Sequence, residues 1–144
     1  MSVNSSNTLY RESLITIHNK KGDKILRQLR HFFIYNWVDR ATVTEHNAQH
    51  LEDLLKKVSS LRTSKPKQPV LVHCSAGIGR TGTFVALHMA IQEIIKQREN
   101  SKVKKFQPDL KIYDIVFRLR HMRPFMVQTP SQYLFIHKFM KRFI

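Results

Sequence analysis

Cys74 is the only cysteine among 144 residues. It stands in "VLVHCSAGIGRTGTF", between a short apolar run and a stretch of Gly, Ser and Thr that contains Arg80. The pattern reads as strand, loop and helix. Inward-pointing N–H groups of such a loop, together with the positive end of the helix, form an anion cradle of phosphate size. Gly77 and Gly79 give the loop the conformational freedom the wrap requires. Arg80 presents a planar guanidinium that can hold two phosphate oxygens at once. Cys74 falls at the base, where the N–H groups, the helix dipole and Arg80 all favour thiolate over thiol, so the residue suits a nucleophile near neutral pH. Thr81 can hydrogen-bond the sulfur. No Lys follows the last Gly, which separates the stretch from a nucleotide P-loop. Lone cysteines are commonly structural, but that reading leaves His73, Arg80, Thr81 and Gly82 unexplained as a set.

"HCSAGIGRTG" resembles the signature loop of the protein tyrosine phosphatases, across the whole His-Cys-five residues-Arg pattern and its flanks. The resemblance implies that Cys74 attacks phosphotyrosine to form a cysteinyl-phosphate, which water then hydrolyses. It implies a phosphate cradle of Ser75, Ala76, Gly77, Ile78, Gly79 and Arg80, with Arg80 as clamp and His73, Thr81 and Ser75 tuning the cysteine. Expulsion of a phenolate calls for a general acid on a mobile element. "YNWVDRATV" carries Trp37 and Asp39 as in the family's Trp-Pro-Asp loop, thirty-five positions before Cys74. Val38, Ala41 and Val43 stand where the family has Pro, Gly and Pro, which releases backbone constraint and removes a hinge glycine. "MVQTPSQYLFI" is similar to the family's Gln-Thr-x-x-Gln-Tyr segment, with Gln128 expected to position the hydrolytic water and Gln132 to support it.

Elements must carry these residues to one place. "SLITIH" alternates and "NKKGD" supplies turn residues, so the first third reads as two extended segments around a turn. Thr44 precedes "EHNAQHLEDLLKKVSSL", a helix with Leu51, Leu54, Leu55 and Val58 on one face. "RTSKPKQP" is a connector. "VLVH" reads as a buried strand. "RTGTFVALHMAIQEIIKQ" reads as a mostly buried helix through Val85, Met89, Ile91 and Ile95. "DLKIYDIVFRLRHM" is a helix stopped near Pro124. Thr129 and Pro130 open a last helix as N-cap and first helical residue. Phe106, Tyr113, Phe117, Phe125, Phe135, Phe139 and Met140 are expected in the core. The fold class is α/β, a mixed sheet with flanking helices. Residues 1–9 read as a flexible terminus and 10–144 as a partial tyrosine phosphatase domain, the C-terminal portion, lacking the segment that in the family stacks on phosphotyrosine. In its brevity the chain resembles the short, divergent copies of this family found in polydnavirus gene families.

There are 25 Lys and Arg against 10 Asp and Glu, a formal net charge of +15. That surplus favours anionic partners. A phosphotyrosine-containing protein is the expected one, and an acidic partner suits the basic surface. Nucleic acid is disfavoured, because no regular basic–aromatic pattern, zinc spacing or basic heptad is present. No cofactor and no metal is expected; His46 and His50 lie four apart without further ligands. One cysteine permits no internal disulfide, so a reducing compartment, the cytoplasm, is expected. The function expected is phosphotyrosine hydrolysis, weakened by brevity and by the altered acid loop. Two alternatives use the same cradle: a phosphotyrosine-binding module with impaired turnover, and a dual-specificity or RNA 5′-phosphatase. "MVQTPSQY" speaks against the latter pair.

Overall fold

The computed structural model describes residues 9–64, 68–103 and 106–144. The chain folds as two compact units, one running to Trp37 and the other from Val38 to Ile144.

The first unit is a hairpin. Strand β1 (Tyr10–His18) pairs antiparallel with β2 (Ile25–Ile34), from Tyr10 opposite Ile34 to His18 opposite Ile25. The expected turn joins them. Gly22 takes φ +78°, the Asn19 N–H donates to Lys24 O at 2.9 Å, and Asn19 Nδ2 donates to Asp23 Oδ1. A positive φ at this point suits glycine, and Asn and Asp close the turn with their own side chains. Leu9, assigned by sequence to the flexible terminus, is buried and accepts the Tyr35 N–H at 3.1 Å, so the ladder extends one residue outward. Residues 1–8 lie outside the described part.

The second unit is helical. It contains α1 (Glu45–Ser64), α2 (Gly79–Asn100), α3 (Ile112–Met122) and α4 (Pro130–Met140), closed by a 3-10 turn at Lys141–Phe143. Helix α2 is the hub: α1, α3 and α4 all pack on it. The face of α1 expected from sequence is the buried one, Leu51, Leu54, Leu55 and Val58. Each such leucine stabilises the fold by about 1.5–3 kcal/mol through burial. No helix among the described residues is long and apolar enough to cross a membrane.

Several expectations change. Residues 70–73 do not join a sheet among the described residues, and Val70 and Leu71 are 45% and 89% exposed. An apolar run becomes a buried strand only when neighbours cover both edges and both faces, and no described strand pairs with this one. On α2 the buried positions are Phe84, Leu87, Ile91 and Ile94 with Ala86 and Ala90, while Val85 and Met89 are half-buried and Ile95 is exposed. The helix is apolar nearly all round, so periodicity alone picks its inner face poorly. Helix α3 starts at Ile112, three residues later than expected, because Asp109 is held outside it by two hydrogen bonds with Gln97, at 2.8 and 3.0 Å. Of the aromatics assigned to the core, Phe139 is buried, as is Met140; Phe106 and Phe135 are half-buried; Tyr113, Phe117 and Phe125 are exposed.

One contact fixes the approach of the chain after α3 to the start of α2. A Cβ at Gly82 would fall 2.4 Å from the Val127 nitrogen and 3.1 Å from the Met126 carbonyl carbon. Backbone passes through the space a side chain would occupy. Gly82→Ala is therefore expected to destabilise the protein by about 1–3 kcal/mol through overpacking, read as a lowered midpoint in urea or thermal unfolding.

Candidate active site

Helix α2 begins at Gly79 with Ile78 at the N-cap, and no side chain caps it. The N–H groups of its first turn are left for another acceptor. Cys74 supplies one. The Gly77 N–H donates to Cys74 Sγ at 3.3 Å, made possible by φ +70° at Gly77. Burial by itself pushes the Cys74 thiol up. The Thr81 hydroxyl and the N–H groups of Thr81, Gly77 and Ile78 outweigh it and bring the pKa down from 9.0 to about 7. Hydrogen bonds to the charged form favour that form. The Thr81 hydroxyl is buried and makes no bond of ordinary length, yet it stands near enough to the sulfur to count among these groups. At neutral pH a substantial fraction of Cys74 is thiolate, half-exposed at the surface.

Arg80, the second residue of α2, bridges Ser75 and Asp39. Its Nη2 donates to Ser75 Oγ at 2.9 Å and sits 3.1 Å from Asp39 Oδ1. The Asp39 carboxylate is 62% exposed, so the pair contributes little to stability, about 0–1 kcal/mol. It is a contact that an incoming anion can exchange.

The segment after α3 completes the surroundings. The Val127 N–H donates to Ile78 O at 3.1 Å. Thr129 caps α4 with a full capping box, its hydroxyl accepting the Gln132 N–H and the Gln132 side chain reaching back to the N-cap backbone. Gln132 is fully buried. Its Oε1 accepts the N–H groups of Gln128 and Thr129 at 3.0 and 3.2 Å, and its Nε2 donates to Ala41 O at 3.4 Å. Thr129 Oγ1 also reaches Arg40 O at 3.4 Å. The same capping residues thus hold the backbone next to Asp39. A Cβ on Gly79 would lie 3.0 Å from Gln128 Oε1, so the Gln128 amide rests against the mouth of the cradle.

Within this unit the fold brings together Cys74, Ser75, Ala76, Gly77, Ile78, Gly79, Arg80, Thr81, Asp39, Gln128 and Gln132. His73 is exposed and makes no hydrogen bond among the described residues. Trp37 is buried in the first unit. Two residues were overlooked by the sequence reading. Arg123 Nη2 donates to Ala76 O at 3.1 Å and its guanidinium lies over Gly77. Arg120 donates to the carbonyls of Met126 and Val127, both at 2.9 Å. The available signal was two arginines three apart, one in the last turn of a helix and one at its C-cap, shortly before the Gln-containing segment.

A nucleophilic sulfur, a guanidinium and a carboxylate around a loop of inward N–H groups can bind a phosphoryl group and accept it. A family model for the protein-tyrosine phosphatases matches residues 2–142. The chain belongs to the protein-tyrosine phosphatase family. Tyrosine-protein phosphatase 2 of Dictyostelium discoideum is 38% identical over 122 residues, 85% of this chain and 30% of that protein. The human receptor-type tyrosine-protein phosphatase eta is 39% identical over 115 residues, 76% of this chain and 7% of that protein. Rat tyrosine-protein phosphatase non-receptor type 9 is 33% identical over 141 residues, 90% of this chain and 22% of that protein. This phosphatase-family chain spans less than a third of the length of these relatives. The α/β make-up seen here is that of a partial phosphatase domain.

The titration of Cys74 is directly measurable. Iodoacetamide alkylation followed against pH is expected to show a midpoint of about 7, with the reactive thiolate lost as pH falls below it. Thr81→Val removes a donor to the sulfur and should move the midpoint upward, toward the ordinary thiol value. An unchanged midpoint would remove Thr81 from that role.

Proposed function

We propose that this chain hydrolyses phosphotyrosine in proteins through a cysteinyl-phosphate. The observation that carries the proposal is Cys74, whose sulfur accepts a loop N–H, in one loop with Arg80, whose guanidinium meets an exposed carboxylate that an anion can replace. Family membership supports the reaction class.

The phosphate dianion enters the cradle, takes the loop N–H groups and replaces Asp39 as partner of Arg80. The Cys74 thiolate attacks phosphorus. A sulfur–phosphorus bond forms as the bond to the phenolic oxygen breaks, and Asp39, carrying the proton, gives it to the departing oxygen. Water held by Gln128 then attacks phosphorus with Asp39 accepting its proton. The sulfur–phosphorus bond breaks, inorganic phosphate leaves and the thiolate is restored. Gln132 holds the backbone of Gln128, and Arg80 with the loop N–H groups carries the charge of the transition state. Ser75, through its bond to Arg80, sets the pose of the clamp.

Purified protein is expected to release p-nitrophenol from p-nitrophenyl phosphate, and Cys74→Ser is expected to abolish that release. Equal rates in the two proteins would overturn the proposal. Phosphopeptide binding by wild type without any turnover would instead assign the chain to phosphotyrosine capture. The basic surface fits acidic sequence around the phosphotyrosine.

Asp39→Ala should lower turnover by about 10²–10⁴-fold for a substrate with a poor leaving group, and far less for one whose phenolate needs no proton. A loss independent of leaving-group acidity would take the acid role from Asp39.

A further inference from the structure

Helix α3 packs on α2 through Ile112, Ile115, Val116 and Leu119, all buried. Its opposite face carries Tyr113, Phe117 and His121, spaced four apart so that they fall in one line along the helix. Tyr113 is 66% exposed and Phe117 50%. The three rings are already ordered. Tyr113 stacks on Phe117 with centroids 5.8 Å apart and planes 18° from parallel, and the His121 ring lies 4.4 Å from that of Phe117. His121 Nδ1 is at hydrogen-bond distance, 3.2 Å, from the Phe117 carbonyl, which holds its ring in the line. Single exposed apolar residues are ordinary, but a row of ordered rings on one face is a patch of the kind that interfaces use.

Geometry and charge select the occupant. A nucleic-acid base would have to enter between two rings to stack on both, and Tyr113 and Phe117 leave no such gap, because they already form a stacked pair. Ring edges and outer faces remain, and these suit the aliphatic or aromatic side chains of a protein. Rings ordered before binding lose little freedom when a partner covers them. The surrounding charge is positive. Between Leu110 and Met122 the one acid, Asp114, stands against Lys111, Arg118 and Arg120, and the whole chain has a formal net charge of +15. A second copy would bring two such surfaces together against their repulsion, whereas an acidic segment is drawn to them.

We propose that the outward face of α3 is a docking surface for an acidic protein segment, whose apolar side chains pack on Tyr113 and Phe117 while its carboxylates face Lys111 and Arg118. The surface uses no residue of the cradle, and the proposal stands whether or not the chain hydrolyses phosphotyrosine.

The test follows binding of a fluorescently labelled random copolymer of glutamate and tyrosine to the full chain by anisotropy, with polyglutamate of equal length as the comparison. The copolymer is expected to bind, polyglutamate to bind distinctly more weakly, and added salt to weaken both. Phe117→Ala should weaken the copolymer on the order of tenfold and Tyr113→Ala several-fold. The thermal unfolding midpoint and the rate of Cys74 alkylation should stay unaltered, since both side chains are exposed. Arg118→Glu should weaken both polymers. Inorganic phosphate should displace the copolymer no more than chloride of the same ionic strength does. Absence of copolymer binding, affinity unchanged in the ring variants, or equal affinity for polyglutamate would overturn the proposal. So would displacement specific to phosphate, which would put the copolymer in the cradle. Tighter binding of oligothymidylate than of the copolymer, lost in Phe117→Ala, would make the face a nucleic-acid site. A dimer in sedimentation that Phe117→Ala dissolves would make it a contact between copies. Either outcome overturns the proposal.

Discussion

The site depends on one backbone hydrogen bond, from the Val127 N–H to the Ile78 carbonyl at 3.1 Å. It joins the last residue of the cradle before α2 to the segment that carries Gln128. The bond requires two backbones to meet at a distance no side chain allows, hence Gly82. It also requires Val127 in a left-handed conformation that a β-branched residue resists. Both costs are local. They are sustained by burial of Met126 and Val127 and by the two bonds from Arg120. Removing any of these supports would act on the cradle through this joint.

Around that joint the electrostatics divide into a fixed part and an exchangeable part. The fixed part is made of N–H groups at the uncapped start of α2 and in the loop before it. They cannot reorient, so they stabilise negative charge on the sulfur or on a bound phosphate without reorganisation. The exchangeable part is Arg80, whose partners include a hydroxyl and an exposed carboxylate. Fixed N–H groups beside the weak Arg80–Asp39 pair favour an anion that can take the carboxylate's place.

The cradle was legible in the sequence because its chemistry is local: Cys74, the loop and Arg80 lie within seven residues, and a helix N-terminus follows at once. The capping box at Thr129 and Gln132 was legible for the same reason, and so was the turn at Gly22. What sequence did not give was whatever depends on cover from elsewhere in space. Residues 70–73 have the composition of a buried strand, but burial belongs to the neighbours and not to the run itself. The inner face of α2 was blurred because apolar residues surround it. Arg120 and Arg123 belong to no motif in the sequence. Their worth lies in which carbonyls they reach, across 47 positions in the case of Arg123 and Ala76.

The same distinction bears on the altered acid loop. Val38, Ala41 and Val43 stand where the family has Pro, Gly and Pro, which releases backbone constraint and removes a hinge glycine. The fold supplies constraint by another route. The carbonyls of Arg40 and Ala41 each accept a bond from the α4 capping residues, and Asp39 meets Arg80. Both capping contacts are long, at 3.4 Å, and the ion pair is exposed, so each is weak. Weak ties suit the chemistry proposed. A carboxylate locked on the guanidinium would exclude phosphate, and one without ties would not return to protonate the leaving oxygen. In the proposed reaction a tether through Thr129 and Gln132 would keep Asp39 near while phosphate took its place on Arg80. It also links Asp39 to the residues that hold Gln128, so that the groups assigned to the two halves of the proposed reaction share one support.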